Sequence, residues 1–181
     1  ALDQSALSPQ QLTAQWKSWG TELRRAGIRW NLAPDADLVR PGDVKRNPPV
    51  GQLDRHYGTD PSGVIASVAA ATAGMSQAGV ATSLKHFPGL GRVNSNTDFA
   101  VAHDHSTTTS DGSVRVFTHA IKKARPASIM ISSAIYEAID AQQPGVFSHK
   151  IITDLLRSEL GWDGIVISDD MGAAAAVKGV S

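Results

Sequence analysis

Polar and charged side chains follow four short apolar blocks of the sequence, at the points where the blocks end. They are Asn31, Asp35 and Asp37 after the first block, Lys85 and His86 after the second, Ser132 and Ser133 after the third, and Ser168, Asp169 and Asp170 after the fourth. Carboxylates together with a lysine and a histidine can hydrogen-bond to several hydroxyl groups. A lone carboxylate in such a place can equally cap the next helix. The joint occurrence on four blocks instead predicts a site for a polar, hydroxyl-rich ligand.

The elements that would position these side chains alternate in a regular order. Helical spacing and capping residues predict helices over residues 8–26, 60–79, 114–123 and 148–160, and the apolar blocks predict strands over 28–33, 80–84, 127–132 and 164–168. Residues 35–61 and 88–112 are predicted loops, and the alanines at 173–176 predict a further helix after Asp170. Helix-then-strand units with continuously apolar strands indicate an α/β fold with a parallel sheet. Functional side chains then gather at the carboxyl ends of the strands.

Length and composition exclude several classes of protein. The 181 residues carry a formal net charge of +0, so there is no surplus positive charge for a nucleic-acid partner or an anionic membrane surface. There is no cysteine, which excludes disulfides and thiol chemistry. No apolar stretch approaches the roughly 18 residues of a membrane span. A complete eight-unit barrel needs at least about 200 residues, so the four predicted units could form only part of such a barrel.

Two segments resemble glycoside hydrolase family 3, in its β-N-acetylhexosaminidase branch. Residues 85–92, KHFPGLGR, are similar to the family's Lys-His-Phe-Pro-Gly-x-Gly signature, and residues 155–172, which end in Ser-Asp-Asp-Met-Gly, resemble its nucleophile segment. Residues 31–37, NLAPDAD, and 54–61, DRHYGTDP, also match family patterns. The resemblance implies a TIM-barrel fold. It also implies that residues 1–181 are part of the family's N-terminal domain, and we expect them to be a fragment of a longer chain.

The resemblance implies a role for individual residues. Asp169 corresponds to the nucleophile of a retaining glycosidase, which forms a covalent glycosyl ester. Lys85, His86 and Arg55 correspond to side chains that bind sugar hydroxyls, and Asp37 orders the first loop or pairs with these bases. For Arg55 and Asp37 an ion pair that only stabilises the loop is an open alternative. Asp170 is expected to have a structural role.

The sequence leaves the identity of the general acid/base open. By the resemblance, the loop after the Lys-His signature is expected to carry an Asp-x-His pair as the acid/base. The corresponding positions here are Asn96 and Asp98. Three assignments follow, in order of preference: Asp98 itself; His103 or His105, with Asp104 between them as a possible orienting group; or loss of the acid step with sugar binding retained.

Three further functions compete with this interpretation. An aldolase could use Lys85 as a Schiff base, although His86 and the nearby carboxylates disfavour a neutral amine. The second is a non-catalytic sugar-binding protein, and the third is a β-glucosidase or xylosidase of the same family. No metal-ligand motif such as His-x-x-Glu-His occurs, so no metal ion and no cofactor are expected.

The partner that the resemblance implies is a small carbohydrate, with terminal β-linked N-acetylglucosamine from cell-wall fragments or chitooligosaccharides as the expected substrate. The resemblance implies a bacterial protein, exported or associated with the cell envelope, with the cytoplasm as the alternative. The sequence does not define an oligomeric state.

Overall fold

A computed structural model describes residues 1–178 and contains the alternating helices and strands that the sequence predicts. The longer helices are α1 Pro9–Arg25, α2 Pro61–Gln77, α3 Gly112–Ala124 and a π-type helix Lys150–Glu159, with a short helix α4 Glu137–Asp140. Single 3-10 turns occur at Leu2–Ala6, Val44–Arg46, Gly145–Phe147 and Ala175–Val177. The strands are β1 Trp30–Asn31, β2 Ala81–Phe87, β3 His103–Asp104, β4 Ser128–Ile131, β5 Ile135–Tyr136 and β6 Ile165–Ser168.

The main sheet has four parallel strands in the order β1-β2-β4-β6. Trp30 is paired with Ala81, Leu84 with Ile129, and Ile129 with Val166. The spatial order therefore follows the order along the chain, as in the wall of a (β/α)8 barrel and unlike a doubly wound sheet, whose order reverses. The predicted α/β fold with about four barrel units is confirmed.

Helix α1 begins where the sequence predicts, because Ser8 and Gln11 form a capping box. The Ser8 hydroxyl accepts the Gln11 N–H at 3.3 Å, and the Gln11 side chain accepts the Ser8 N–H at 2.9 Å. The helix packs closely on α2 at Gly74, where a Cβ would collide with the backbone of Thr13. This close contact holds the first helical layer against the sheet.

The hydrophobic core lies between the sheet and these helices. In the two central strands of the sheet, β2 and β4, the core residues Leu84, Phe87 and Ile129 have no exposed surface. Phe87 packs edge-on against Phe117 of α3, with ring centroids 5.4 Å apart. Burial of β2 to its last residue fixes the Lys85–His86 end of this strand against the core.

Two details differ from the sequence predictions. The second long loop contains β3, which pairs in parallel with β5 in a separate two-stranded sheet; two-residue strands are too short to produce a periodic pattern. The helix expected after Asp170 is a turn followed by the 3-10 turn Ala175–Val177. The Asp170 side chain accepts the N–H groups of Gly172 and Ala173, and its backbone carbonyl accepts those of Ala173 and Ala174. No helix among residues 1–178 is both long and apolar enough to cross a membrane.

Candidate active site

Asp37 and His86 form a buried pair where the ends of β1 and β2 meet. One oxygen of Asp37 lies 2.7 Å from His86 Nδ1, and the other accepts the backbone N–H groups of His86 at 3.2 Å and Leu90 at 2.6 Å. Burial alone would raise the pKa of Asp37, but attraction to His86 and the hydrogen bonds from His86 and Leu90 outweigh it and lower this pKa. Asp37 therefore fixes both the His86 ring and the first turn of the second loop.

Arg55 extends this pair from the first long loop. Its Nη2 lies 3.4 Å from His86 Nε2, its Nε lies 3.5 Å from an Asp35 oxygen, and its Nη1 donates to the Pro49 carbonyl at 3.1 Å. Because a guanidinium can only donate, the contact with His86 is a hydrogen bond when Nε2 is unprotonated and Nδ1 carries the proton towards Asp37. The network thus runs from Asp37 through His86 to Arg55.

Asp35 adjoins this network through Arg55; the sequence placed it among the polar residues after the first apolar block without an individual role. It is buried, and one of its oxygens accepts the Asp37 N–H at 3.0 Å. Burial raises the pKa of Asp35 well above its ordinary value, and the neighbouring Asp37 carboxylate adds to this, whereas Arg55 opposes it. The signal that identifies Asp35 is its place directly after the first strand, where it forms a β-bridge with Lys85.

Lys85 lies near the end of β2, next to the buried cluster formed by Asp35, Asp37, His86 and Arg55. Its side chain is half-buried, and burial lowers the pKa of the Lys85 ammonium, with a further contribution from Arg55. Asp35, Asp169 and Asp37 oppose this change by attraction. Ser168 of β6 pairs with Ile131 of β4, and Ile131 pairs with Phe87 of β2, so Asp169 and Lys85 lie at the same edge of the sheet.

The two carboxylates after β6 differ in their contacts. Asp170 binds the Gly172 and Ala173 N–H groups at 2.8 Å and 3.2 Å, which closes the following turn and agrees with the structural role expected for it. Asp169 is exposed, and its side chain accepts the N–H of Asp170 at 2.9 Å. Both residues are exposed, but the Asp170 carboxylate is engaged in the turn that follows it, which leaves Asp169 as the candidate for chemistry.

Asp98 lies in an exposed turn of the second long loop. Its N–H is bound by the Asn96 side chain at 3.0 Å, and the carbonyl of the preceding residue, Thr97, accepts the Ala175 N–H at 2.9 Å. The loop therefore reaches from the end of β2 to the segment that follows Asp169. A side chain at Gly91 would collide with the Leu38 backbone, so the start of this loop also packs closely on the first loop.

His103 and His105 share a carboxylate that was not expected from the sequence. His103 Nδ1 lies 2.8 Å from one oxygen of Glu137, and His105 Nδ1 lies 2.6 Å from the other. Asp104, expected as a possible orienting group, instead binds the Ser106 and Thr107 N–H groups at 2.8 Å each and the Thr107 hydroxyl at 2.7 Å. The expectation for Asp104 is wrong, because both of its oxygens are engaged in closing the turn that follows it.

The structure thus brings Asp37, His86, Arg55 and Lys85 together, and it places Asp169 at the same edge of the sheet. Asp98 and the two histidines lie on the second long loop, residues 88–112, which we call the covering loop. Among residues 1–178, ligand atoms of Asp35, Asp37 and His86 lie within 4.8 Å of one another, a spacing that a metal ion can bridge. Asp37 and His86 already bind each other, however, and the Arg55 cation contacts two members of the set. These three side chains are therefore better suited to form a fixed hydrogen-bonding surface than to bind a metal ion.

The sequence of this chain matches a known protein family over nearly its whole length. The model of the glycosyl hydrolase family 3 N-terminal domain matches residues 2–181. A beta-hexosaminidase from Stenotrophomonas maltophilia strain K279a is 35% identical over 176 residues, which are 94% of this chain and 50% of that protein. One from Alkalilimnicola ehrlichii is 35% identical over 159 residues, 87% of this chain and 44% of the relative. The chain spans about half the length of the curated relatives it matches.

Solved structures agree with the sequence comparisons. The beta-N-acetylhexosaminidase from Beutenbergia cavernae superposes with a TM-score of 0.96 and 46% identity, covering 99% of this chain and 54% of that one. The beta-N-acetylglucosaminidase from Thermotoga maritima gives a TM-score of 0.84 and 28% identity, covering 99% of this chain and 37% of that one.

Proposed function

This chain belongs to glycoside hydrolase family 3, and from that premise we propose that it supplies the nucleophile and sugar-binding side chains of a retaining β-N-acetylglucosaminidase. The observation that carries the proposal is the position of Asp169. It directly follows Ser168 of β6, which pairs with Ile131 of β4, and Ile131 pairs with Phe87 of β2. Its exposed carboxylate therefore lies at the same edge of the sheet as the fixed Asp37–His86–Arg55 network. The names of the relatives support a terminal N-acetylhexosamine as the sugar.

The reaction has two displacements. Asp169 attacks the anomeric carbon, the glycosidic bond breaks, and an acid gives a proton to the departing oxygen. The glycosyl ester of Asp169 is then opened by water, whose proton goes to the same group acting as a base, and Asp169 leaves as a carboxylate. Two inversions at one carbon retain the β configuration of the sugar.

We assign sugar binding to the buried cluster and to the neighbouring Lys85. The Lys85 ammonium and the Arg55 guanidinium are donors only, so they select acceptor oxygens of hydroxyl groups. His86 is held by Asp37 on one side, so its ring cannot turn away when a hydroxyl arrives. Groups fixed before the ligand binds lose less conformational entropy on binding.

Asp98 remains the first choice for the acid/base. The hydrogen bond between Thr97 and Ala175 supports this choice, because it ties the residue before Asp98 to the segment after Asp169. His103 and His105 are the second choice, and their Nδ1 atoms are engaged with Glu137.

The test is a comparison of aryl β-glycosides, with the N-acetylglucosaminide set against the glucoside and the xyloside, and with the product anomer followed by NMR. We expect the N-acetylglucosaminide to be cleaved fastest and the β anomer to be released first. A faster glucoside or xyloside would overturn the sugar assignment, and an α product would overturn the double displacement. Intact sugar binding without cleavage of any substrate would identify a non-catalytic sugar-binding protein.

A further inference from the structure

We propose that Glu137 is a positioning residue, which holds the loop carrying Asp98 over the strand ends by binding His103 and His105. This inference rests on the proposed function for its catalytic consequence. We call the three side chains the His–Glu–His clasp.

The clasp joins two different segments through both oxygens of one carboxylate. His103 Nδ1 and His105 Nδ1 lie 2.8 Å and 2.6 Å from Glu137 Oε1 and Oε2. The histidines are two residues apart, so in extended backbone their side chains lie on the same face. Their rings are stacked, with centroids 6.0 Å apart and an interplanar angle of 14°. One glutamate thus fixes both rings.

The backbone supports the same connection. His103 of β3 is paired with Ile135 of β5, and the Ile135 N–H donates to the Ala102 carbonyl at 2.9 Å. Glu137 follows β5 directly, so the clasp adds side-chain bonds where the two short strands meet. Two-residue strands provide few ladder hydrogen bonds, so the clasp adds to the buried Ala102 and Asp104 in holding the returning arm of the loop.

The stretch that carries Asp98 has much less support of its own. Residues 98–101 are exposed, and the Phe99 side chain is 85% exposed. Within the part of the chain that the structure describes, residues 94–101 make one backbone hydrogen bond to another segment, from Ala175 to Thr97. Segments with few buried contacts open at low free-energy cost, so the position of Asp98 depends on how firmly the ends of its loop are held.

The charge of Glu137 suits this role. Hydrogen bonds from His105 and then His103 lower the pKa of Glu137 below its ordinary value. Its carboxylate is therefore ionised at neutral pH, and hydrogen bonds to an ionised acceptor are stronger than those to a neutral one.

Hydrogen exchange of the complete protein tests the clasp without requiring activity. Glu137→Ala is expected to raise the exchange rate of amides in residues 94–107 about tenfold, with an unchanged midpoint of global thermal unfolding. The matched control is Asp154→Ala, which removes the partner of His149 in an exposed pair with a separation of 3.3 Å. The control should leave the exchange of residues 94–107 unchanged.

Kinetics test the catalytic consequence. With a substrate that has a poor leaving group, Glu137→Ala should lower kcat about tenfold and leave KM nearly unchanged. Glu137→Gln keeps one acceptor oxygen, so its kcat should fall less. Adding His103→Gln and His105→Gln to Glu137→Ala should cause little further loss, because all three changes break the same contacts.

Unchanged exchange of residues 94–107 in Glu137→Ala would overturn the proposal, as would an equal change in Asp154→Ala. If residues 94–107 exchange faster in Glu137→Ala but kcat is unchanged, Glu137 has no positioning role in catalysis. If the unaltered protein cleaves no glycoside while Glu137→Ala still loosens the loop, the proposed function fails and the clasp stands.

Discussion

The buried cluster at the ends of β1 and β2 and the exposed groups at the end of β6 and on the second loop are built in opposite ways. Asp37 has no exposed surface and three hydrogen bonds fix its two oxygens. Asp169 and Asp98 are exposed; the Asp169 carboxylate accepts the N–H of Asp170, and the backbone N–H of Asp98 donates to the Asn96 side chain. Groups that recognise a ligand gain from being fixed beforehand, whereas covering loops must open and close around a substrate. We therefore expect changes in the buried cluster to cost stability and binding, and changes in the exposed groups to lower the rate of the chemical step.

The largest effect is expected at Asp169. Asp169→Ala removes the nucleophile and should reduce kcat by about 10⁴-fold or more, with an unfolding midpoint within error of the unaltered protein because the side chain is exposed. The neighbour Asp170→Ala is the control: it removes the acceptor of the Gly172 and Ala173 N–H groups, so stability should fall while most of the activity is kept. Equal kinetic losses in the two variants would break the distinction between them.

Asp37→Ala should have the largest effect on folding. Removal of one partner leaves His86 and two backbone N–H groups without their acceptor, which costs about 3–5 kcal/mol of the free energy of unfolding. Denaturant titration gives this value, and Asp3→Ala, at an exposed position, is the control. A loss below about 1 kcal/mol would show that the buried pair does not stabilise the fold.

Asp98→Asn tests the exposed loop. If Asp98 protonates the departing oxygen, kcat/KM should fall by about 10²-fold or more for a poor leaving group and much less for an activated aryl group, which departs without a proton. Stability should not change. Equal losses on both substrates would exclude Asp98 as the acid, and the same comparison on His103→Gln and His105→Gln would then decide the second choice.

Arg55→Lys probes binding by the buried cluster. Lysine keeps the charge but loses the planar fork that reaches His86, Asp35 and Pro49 together, so KM should rise about tenfold, equivalent to about 1.4 kcal/mol, while kcat changes little. Arg46→Lys, which alters an exposed pair with Asp43, should be silent. A fall in kcat with constant KM would instead assign Arg55 to the chemical step.

The smallest expected effect is a pH dependence at Asp35. Its folded-state pKa is raised, so the folded protein holds a proton that the unfolded chain releases above about pH 4. This contribution to stability is complete at low pH and is lost as pH rises through the folded pKa. Asp35→Asn should remove that slope from the free energy of unfolding measured between about pH 4 and 7. An unchanged slope would show that Asp35 does not titrate abnormally.

The sequence predicts the buried cluster better than the covering loop. Asp37, Lys85 and His86 follow apolar blocks, and parallel strands bring such residues to one edge, so their proximity follows from the order of elements. Glu137 was missed because its partners lie more than thirty positions earlier and are joined through two-residue strands that have no periodic signal. Asp104 resembled an orienting group in the sequence, but its side chain closes a local turn, which depends on loop geometry that spacing does not specify.

Asp169 carries the central chemical role proposed for this chain, and trapping its covalent intermediate tests that role most directly. A 5-fluoro analogue of an activated N-acetylglucosaminide slows both displacements while a good leaving group keeps the first one accessible, so a glycosyl-enzyme should accumulate. We predict a mass increase of one sugar, located by peptide mapping at Asp169 and absent from Asp169→Ala. A stable adduct on another residue, or turnover of substrate with no adduct, would contradict the assignment of Asp169 as the nucleophile.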